Sequence, residues 1–261
     1  SFFTFLHAAF SSVMKNERID ILLVEKGLAD SRTKAQAMIM SGVVLADERR
    51  VDKPSQTFSP DTAIRIKGET PASRYVGRGG LKLEHALKHF RIDPTQMICI
   101  DIGSSTGGFT DCLLQHGAAS VVAVDSGTNQ LDWKLRQDQR VDVRENTNAR
   151  ELTPADFARP FDIAVMDVSF ISVTKIIPAL IPLLKEHGKL VVLIKPQFEV
   201  GKGEVGKGGI VREPEKHQRV VDEVNAFAVD LGLKCLGVVD SPILGQKGNK
   251  ELLAAYEKQS S

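Results

Sequence analysis

The sequence predicts an α/β protein in two parts: a small α+β domain, then a larger domain built on a parallel sheet with helices on both faces. Three observations predict it. Residues 97–100 (MICI), 121–124 (VVAV), 163–166 (IAVM) and 190–194 (LVVLI) are apolar at every position, the mark of strands covered on both sides. Helix-length stretches lie between several of these runs, as in βαβ units. A polar segment holding Gly68, Pro71 and Ser73 interrupts the chain well before the first run, as a linker would.

The elements follow in order. Residues 1–13 are apolar and rich in small side chains, and Met14-Lys15 follows them as a natural start; they read as an extension outside the fold. The small domain spans 14–67. Ile19, Leu22 and Leu23 suit a first helix. Asp30 or Ser31 caps a second, whose apolar face is Ala35, Met38 and Ile39, and Gly42 ends it. Residues 43–45 form a short strand, 47–49 a turn, Val51 begins an extended piece, and 62–67 form a further strand. The linker covers 68–77. The larger domain, 78–258, opens with Arg78-Gly79-Gly80 ahead of an amphipathic helix carrying Leu81, Leu83, Ala86, Leu87 and Phe90. Two further strands are expected at 236–239 and 252–256. Residues 201–209 (GKGEVGKGG) read as a flexible loop.

Composition excludes several classes. The 261 residues are 42% hydrophobic and 26% charged, with a formal net charge of +1. There is no global basic field, but the charge is uneven. Residues 14–78 hold twelve Lys/Arg against nine Asp/Glu, and the remainder holds twenty-two against twenty-four. The first part is therefore the better partner for a polyanion. No apolar run approaches the roughly 20 residues of a membrane span. Cys99, Cys112 and Cys235 form no CxxC pair and no zinc-spaced cluster; Cys99 and Cys235 lie in apolar runs. Such scattered thiols fit buried, reduced side chains in a reducing cytoplasm.

The chemistry should gather at the carboxyl ends of the strands. Each of the four apolar runs ends in an ionisable residue: Asp101, Asp125, Asp167 and Lys195. Asp101 opens the turn DIGSSTGGFTD, where Gly103, Gly107 and Gly108 let backbone approach a ligand closely. The spacing is neither the GxGxxG of a dinucleotide site nor a phosphate loop ending in GK[ST]. A carboxylate at the strand tip suits a cationic ligand better than a pyrophosphate. Asp125 stands 24 residues after Asp101, about where an acid takes a ribose diol. Asp167 and Lys195 read either as a salt bridge closing the sheet or as a base held by its carboxylate. A lysine that sheds its proton is able to take one from a sugar hydroxyl.

Five motifs in order, DIGSSTGGFTD, VVAVDSGTNQL, MDVSFIS, LIKPQFE and GNKELL, resemble the TlyA family, proteins labelled haemolysins or rRNA 2′-O-methyltransferases with an FtsJ-like catalytic domain. RIDILLVEKGLADSRTKAQAMIMSGVV resembles that family's N-terminal RNA-binding module, of the kind found in ribosomal small-subunit protein four. The resemblance runs from Met14 onward. It implies a Rossmann-like methyltransferase sheet at 78–258, S-adenosyl-L-methionine as cofactor, ribosomal RNA or ribosomal subunits as partner, and neither metal nor membrane. It implies a Lys-Asp-Lys-Glu catalytic set. This carries over to Lys82 in RGGLKL, Asp167 in DVSF, Lys195 in IKPQFE and Glu251 in GNKELL. Taken alone, Lys82 and Glu251 would be solvated surface charges.

The implied cofactor residues are Asp101, Gly103, Ser105, Gly107 and Phe109, with Asp125 on the ribose and Asn148 near the adenine. In the small domain Arg18, Arg32, Lys34, Arg49 and Arg50 are candidate phosphate contacts. The expected reaction is methylation of a ribose 2′-hydroxyl, that of a cytidine as the family implies, with Lys195 as general base. Two main rivals stand beside it, with an NAD-dependent enzyme a third that the glycine spacing disfavours. One is a non-catalytic RNA- or ribosome-binding factor on a methyltransferase fold; the other is a membrane-active haemolysin, which needs a spanning or strongly basic amphipathic helix.

Overall fold

The computed structural model describes residues 16–29, 31–67, 74–201 and 203–260. The extension 1–13, the cap at Asp30 and linker residues 68–73 lie outside the described residues. The chain divides into two units, residues 1–70 and 71–261.

The N-terminal unit starts with a two-residue strand, β1 (Glu17–Arg18), and helices α1 (Ile19–Glu25) and α2 (Arg32–Met40). Ser31 caps α2 by accepting from the Lys34 N–H at 3.2 Å. Gly42, at φ +75°, follows the helix where a left-handed residue is needed. Strands β2 (Val44–Ala46), β3 (Arg49–Arg50) and β5 (Ile64–Ile66) form an antiparallel sheet, with β2 in the middle. Between them β4 (Thr57–Phe58) pairs with β1, a pairing with no sequence signal. Ile19, Leu23, Ala35, Ile39, Val44 and Val51 make the core.

Beside that core lies a buried carboxylate. Asp20 accepts two bonds from Arg18 at 3.0 Å, one from Arg32 at 3.0 Å and one from Gln36 at 2.8 Å. The Arg18 guanidinium, helped by Gln36 and Arg32, holds this carboxyl well below the usual range against the cost of burial. Asp20 thereby ties α1 to α2.

The second unit is a seven-stranded sheet in the order β11-β12-β10-β9-β6-β7-β8. The strands are β6 (Ile98–Ile102), β7 (Ser120–Val124), β8 (Val141–Arg144), β9 (Phe161–Met166), β10 (Leu184–Ile194), β11 (Leu233–Asp240) and β12 (Leu252–Lys258). Alternate residues of β10 serve two cores. Val191 and Leu193 face a core shared with α3 (Gly79–Phe90) and α4 (Gly108–Gln115). Leu190, Val192 and Ile194 face one shared with α5 (Ile177–Leu180) and α6 (Pro214–Asp230). Helices thus cover both faces, as expected.

The sheet is mixed rather than parallel. Strand β12 is antiparallel to both β10 and β11, because only a short connection separates β11 from β12. Strand β8 was not expected: Val-Asp-Val-Arg alternates in polarity, as an edge strand does, and carries no continuous apolar run. Gly79 and Gly80 belong to α3 rather than preceding it. Cys99 and Cys112 are buried, and burial pushes both thiols up to about 12. Cys235 is only half-buried.

Asp20→Ala removes four hydrogen bonds and leaves two arginines without their shared acceptor. Since both arginines are partly exposed, the expected loss is about 2 kcal/mol of local stability. Native-state hydrogen exchange should show it as faster exchange in α1 and α2, with α6 unchanged.

Candidate active site

The parallel strands point their carboxyl ends to one rim. Register places Ile102 beside both Val124 and Met166, and Met166 beside Val192. Asp125, Asp167 and Lys195 follow these strands directly. Glu251 arrives differently. Because β12 runs backwards, its first residue, Leu252, pairs with Ile194, the last of β10. Glu251 and Lys195 therefore stand at the same end of adjacent strands.

Lys82 comes from the first turn of α3. Glycines let that turn pack tightly. A Cβ on Gly80 would collide with the Tyr75 ring, and one on Gly108 would press on Gly80 N and the Gly77 carbonyl at about 3 Å. Lys82 Nζ donates to Glu251 Oε2 at 2.5 Å, and both side chains are buried. Lys195 Nζ meets Asp167 Oδ1 at 2.6 Å and Ser169 Oγ at 2.9 Å. An ammonium has three donors; these two partners leave one. All four residues line a single cavity of about 230 Å³, with Phe109, Ser169 and Gln246.

A second cavity, of about 700 Å³, adjoins it. Gly103, Ser105, Asp167, Ser169 and Gln246 line both. Asp125 and Asn148 line the larger one. Asp125 accepts the Ser105 N–H at 2.8 Å and the Gly127 N–H at 2.7 Å, so it shapes the glycine-rich turn. Gly103 sits at φ +78°, where a Cβ would strike the Asp167 carbonyl oxygen. Asn148 accepts from the Arg150 N–H at 3.2 Å and donates to Glu151 at 2.6 Å.

Asp101 and Gly107 line neither cavity. Gly107, at φ +102°, stands at the N-cap of α4, and a Cβ there would strike Leu135. Asp101 is wholly buried beneath the turn. Thr110 Oγ1 donates to its Oδ2 at 2.7 Å, while Oδ1 meets no hydrogen-bond partner among the described residues. Burial pushes its carboxyl up to about 7, opposed by the Thr110 bond and reinforced by nearby Asp167.

The small-domain cations are differently placed. Arg18 and Arg32 are engaged with Asp20, and Arg50 meets Asp52 at 3.1 Å. Lys34 and Arg49 are exposed.

Sequence reasoning missed Ser169 and Gln246, whose types are common and whose placement depends on loop geometry. It also missed Phe170, which is 85% exposed at φ +65° beside the larger cavity, its ring 5.0 Å from Phe198. A bulky exposed residue in that conformation is a strained one. Residues 203–209, part of the loop read as flexible, are held at two points. Gly206 N–H donates to Ile210 O at 3.1 Å, and Lys216 Nζ to Glu204 O at 2.9 Å. Among the described residues no helix is long and apolar enough to cross a membrane, and no cluster of His, Cys, Asp and Glu has metal-holding geometry.

A sequence profile of the S4 domain matches residues 17–64, and one of the FtsJ-like methyltransferases matches residues 75–258. The chain belongs to the FtsJ-like methyltransferase family. Within it the chain is of the TlyA type. TlyA of Mycobacterium tuberculosis, named a 16S/23S rRNA (cytidine-2′-O)-methyltransferase, is 44% identical over 91% of this chain and 88% of its own length. YqxC of Bacillus subtilis, whose name proposes an rRNA methyltransferase, is 52% identical over 92% of this chain and 85% of its own. A solved structure from Streptococcus thermophilus, described as a haemolysin, matches with a TM-score of 0.71 at 48% identity, covering 95% of this chain and 90% of that one.

In this FtsJ-like chain the buried Asp101 has a pH signature. Its ordinary value is 3.8 and its folded value about 7. Below about pH 4 it is protonated folded and unfolded, and costs nothing. Between about 4 and 7 the unfolded chain loses the proton while the folded one keeps it, so stability falls as pH rises. Above about 7 the full penalty is present. Asp101→Asn should therefore gain stability over the wild type progressively across this window, reaching on the order of 4 kcal/mol. Urea denaturation at stepped pH checks this; a difference independent of pH would count against a buried, proton-holding Asp101.

Proposed function

We propose that this chain is an S-adenosylmethionine-dependent methyltransferase of ribosomal RNA, acting on the ribose 2′-hydroxyl of a cytidine in the cytoplasm. One observation carries the reading: Lys82, Asp167, Lys195 and Glu251 line a small cavity that shares a wall with a larger one. The cytidine and the ribosomal target rest on the named relatives, and the S4 domain supports an RNA partner.

The larger cavity fits the cofactor. Its volume lies within the usual range of ligand pockets, and two carboxylates, Asp125 and Asp167, border it, which suits a cation. Asp125 would hold the ribose diol and Asn148 would lie near the adenine, with Gly103 and Ser105 in the turn beside them. When bound, the cofactor supplies a methyl group already activated by its sulfonium, so the protein need only prepare the acceptor.

That preparation falls to the smaller cavity. Lys195, in its neutral form, takes the proton of the 2′-hydroxyl at Nζ. Asp167 and Ser169 fix where that nitrogen points. Glu251 holds Lys82 beside them, and the Lys82 ammonium favours the developing alkoxide. Fixing the acceptor oxygen in line with the methyl removes orientational freedom that would otherwise belong to the barrier. The exposed ring of Phe170 offers a face on which an unpaired base stacks.

Lys195→Ala should lower methyl transfer from labelled S-adenosylmethionine to ribosomal subunits by about 10²–10⁴-fold, with cofactor affinity unchanged. Near wild-type transfer would overturn the assignment of the base. Mapping the labelled nucleotide tests the cytidine and the 2′ position.

A further inference from the structure

Two loops at the catalytic rim carry charge that the reaction does not use. One is 203–212 and the other 245–250. Buried Asn249 staples them together: its Oδ1 accepts the Val211 N–H at 3.1 Å, and its Nδ2 donates to Gly209 O at 2.9 Å and Gln246 O at 3.1 Å. His217 adds a contact from Nε2 to Val211 O at 2.9 Å. The staple sits two residues from Glu251, and Gln246 lines both cavities. The paired loops are thus part of the rim.

Three acids beside these loops are already matched. Glu204 pairs with Arg219 at 2.7 Å, Glu213 with Lys216 at 3.1 Å, and Asp240 with Lys250 at 2.9 Å. Lys207, Arg212 and Lys247 are exposed and, among the described residues, meet no carboxylate. The Arg212 guanidinium donates to the Lys207 carbonyl at 3.4 Å. Lys247 is held in the left-handed region at φ +57°, and its Nζ lies 3.5 Å from where a Cβ on Gly209 would stand. A lysine gains nothing locally from that conformation, so the surrounding loop imposes it. The result is three uncompensated cations on glycine-rich backbone next to the acceptor cavity.

We propose that these two loops form a phosphate clamp for the RNA strand flanking the target nucleotide, with Lys247, Lys207 and Arg212 as its contacts. The proposal rests on the reading of the site as an RNA ribose methyltransferase. A ribose whose hydroxyl reaches Lys195 carries a phosphate on each side, so the strand must leave the cavity within a nucleotide's reach of Gln246. Exposed lysine and arginine suit a phosphodiester backbone, and they set affinity and register rather than sequence choice. The clamp acts on binding and leaves the chemical step alone.

The test measures kcat and KM on ribosomal subunits, and direct binding to a labelled, protein-free rRNA fragment, over a range of salt. Lys247→Glu and the pair Lys207→Glu with Arg212→Glu are compared with Lys247→Arg. The clamp predicts that KM and the RNA dissociation constant rise about tenfold or more in the glutamate variants, with kcat and cofactor affinity within about twofold. The slope of log affinity against log salt should shrink by about 0.7–0.9 per cation lost, and Lys247→Arg should stay near wild type. Unchanged KM and salt slope would overturn the clamp. So would weakening on subunits without weakening on protein-free rRNA, which would point to an acidic protein instead. Should the wild type methylate no RNA, the reading of the site fails on its own, and the binding arm still decides the clamp.

Discussion

Strand β12 runs against its neighbours, and the site depends on that reversal. In a wholly parallel sheet the residue before the last strand would stand at the opposite edge from Lys195. Here the antiparallel pairing of Leu252 with Ile194 puts Glu251 at the working rim. Buried Glu251 then needs a cation, because an unpaired buried charge costs several kcal/mol. Lys82 meets that need from α3, so the first helix of the domain is fixed to its last strand. The pair joins that helix to the sheet and furnishes two of the four charged side chains of the cavity at once.

A similar double role falls to the other side. Asp125 engages both carboxylate oxygens with backbone N–H groups of the turns around it. Its orientation is therefore set before any ligand arrives, which lowers the entropy lost on binding. Asp101 has the opposite character: a carboxyl under the turn, with a partner on one oxygen alone among the described residues.

Much of this was legible in the sequence. Continuous apolar runs marked the central strands, because a strand covered on both faces tolerates no polar side chain. Their terminal Asp and Lys residues marked the rim, because strand ends in an open sheet converge there. Edge strand β8 was illegible for the complementary reason: with one side uncovered, Val141–Arg144 alternates and looks like loop. The direction of β12 leaves no trace in its own residues, since Leu-Leu-Ala-Ala-Tyr is equally apolar either way. Lys82 and Glu251 entered only through family resemblance, because a pair 169 residues apart has no local pattern. Ser169, Gln246 and Phe170 sit on loops whose course is set by tertiary contacts.

Gly103 has a consequence for how such a protein diversifies. Its missing side chain lets the first strand's turn rest on the Asp167 carbonyl, so the floors of both cavities share one piece of backbone. A shift in either is felt by the other. New target choice would then arise by redrawing the peripheral segments around Phe170 and Gln246, while the strand tips stay frozen as a common chassis.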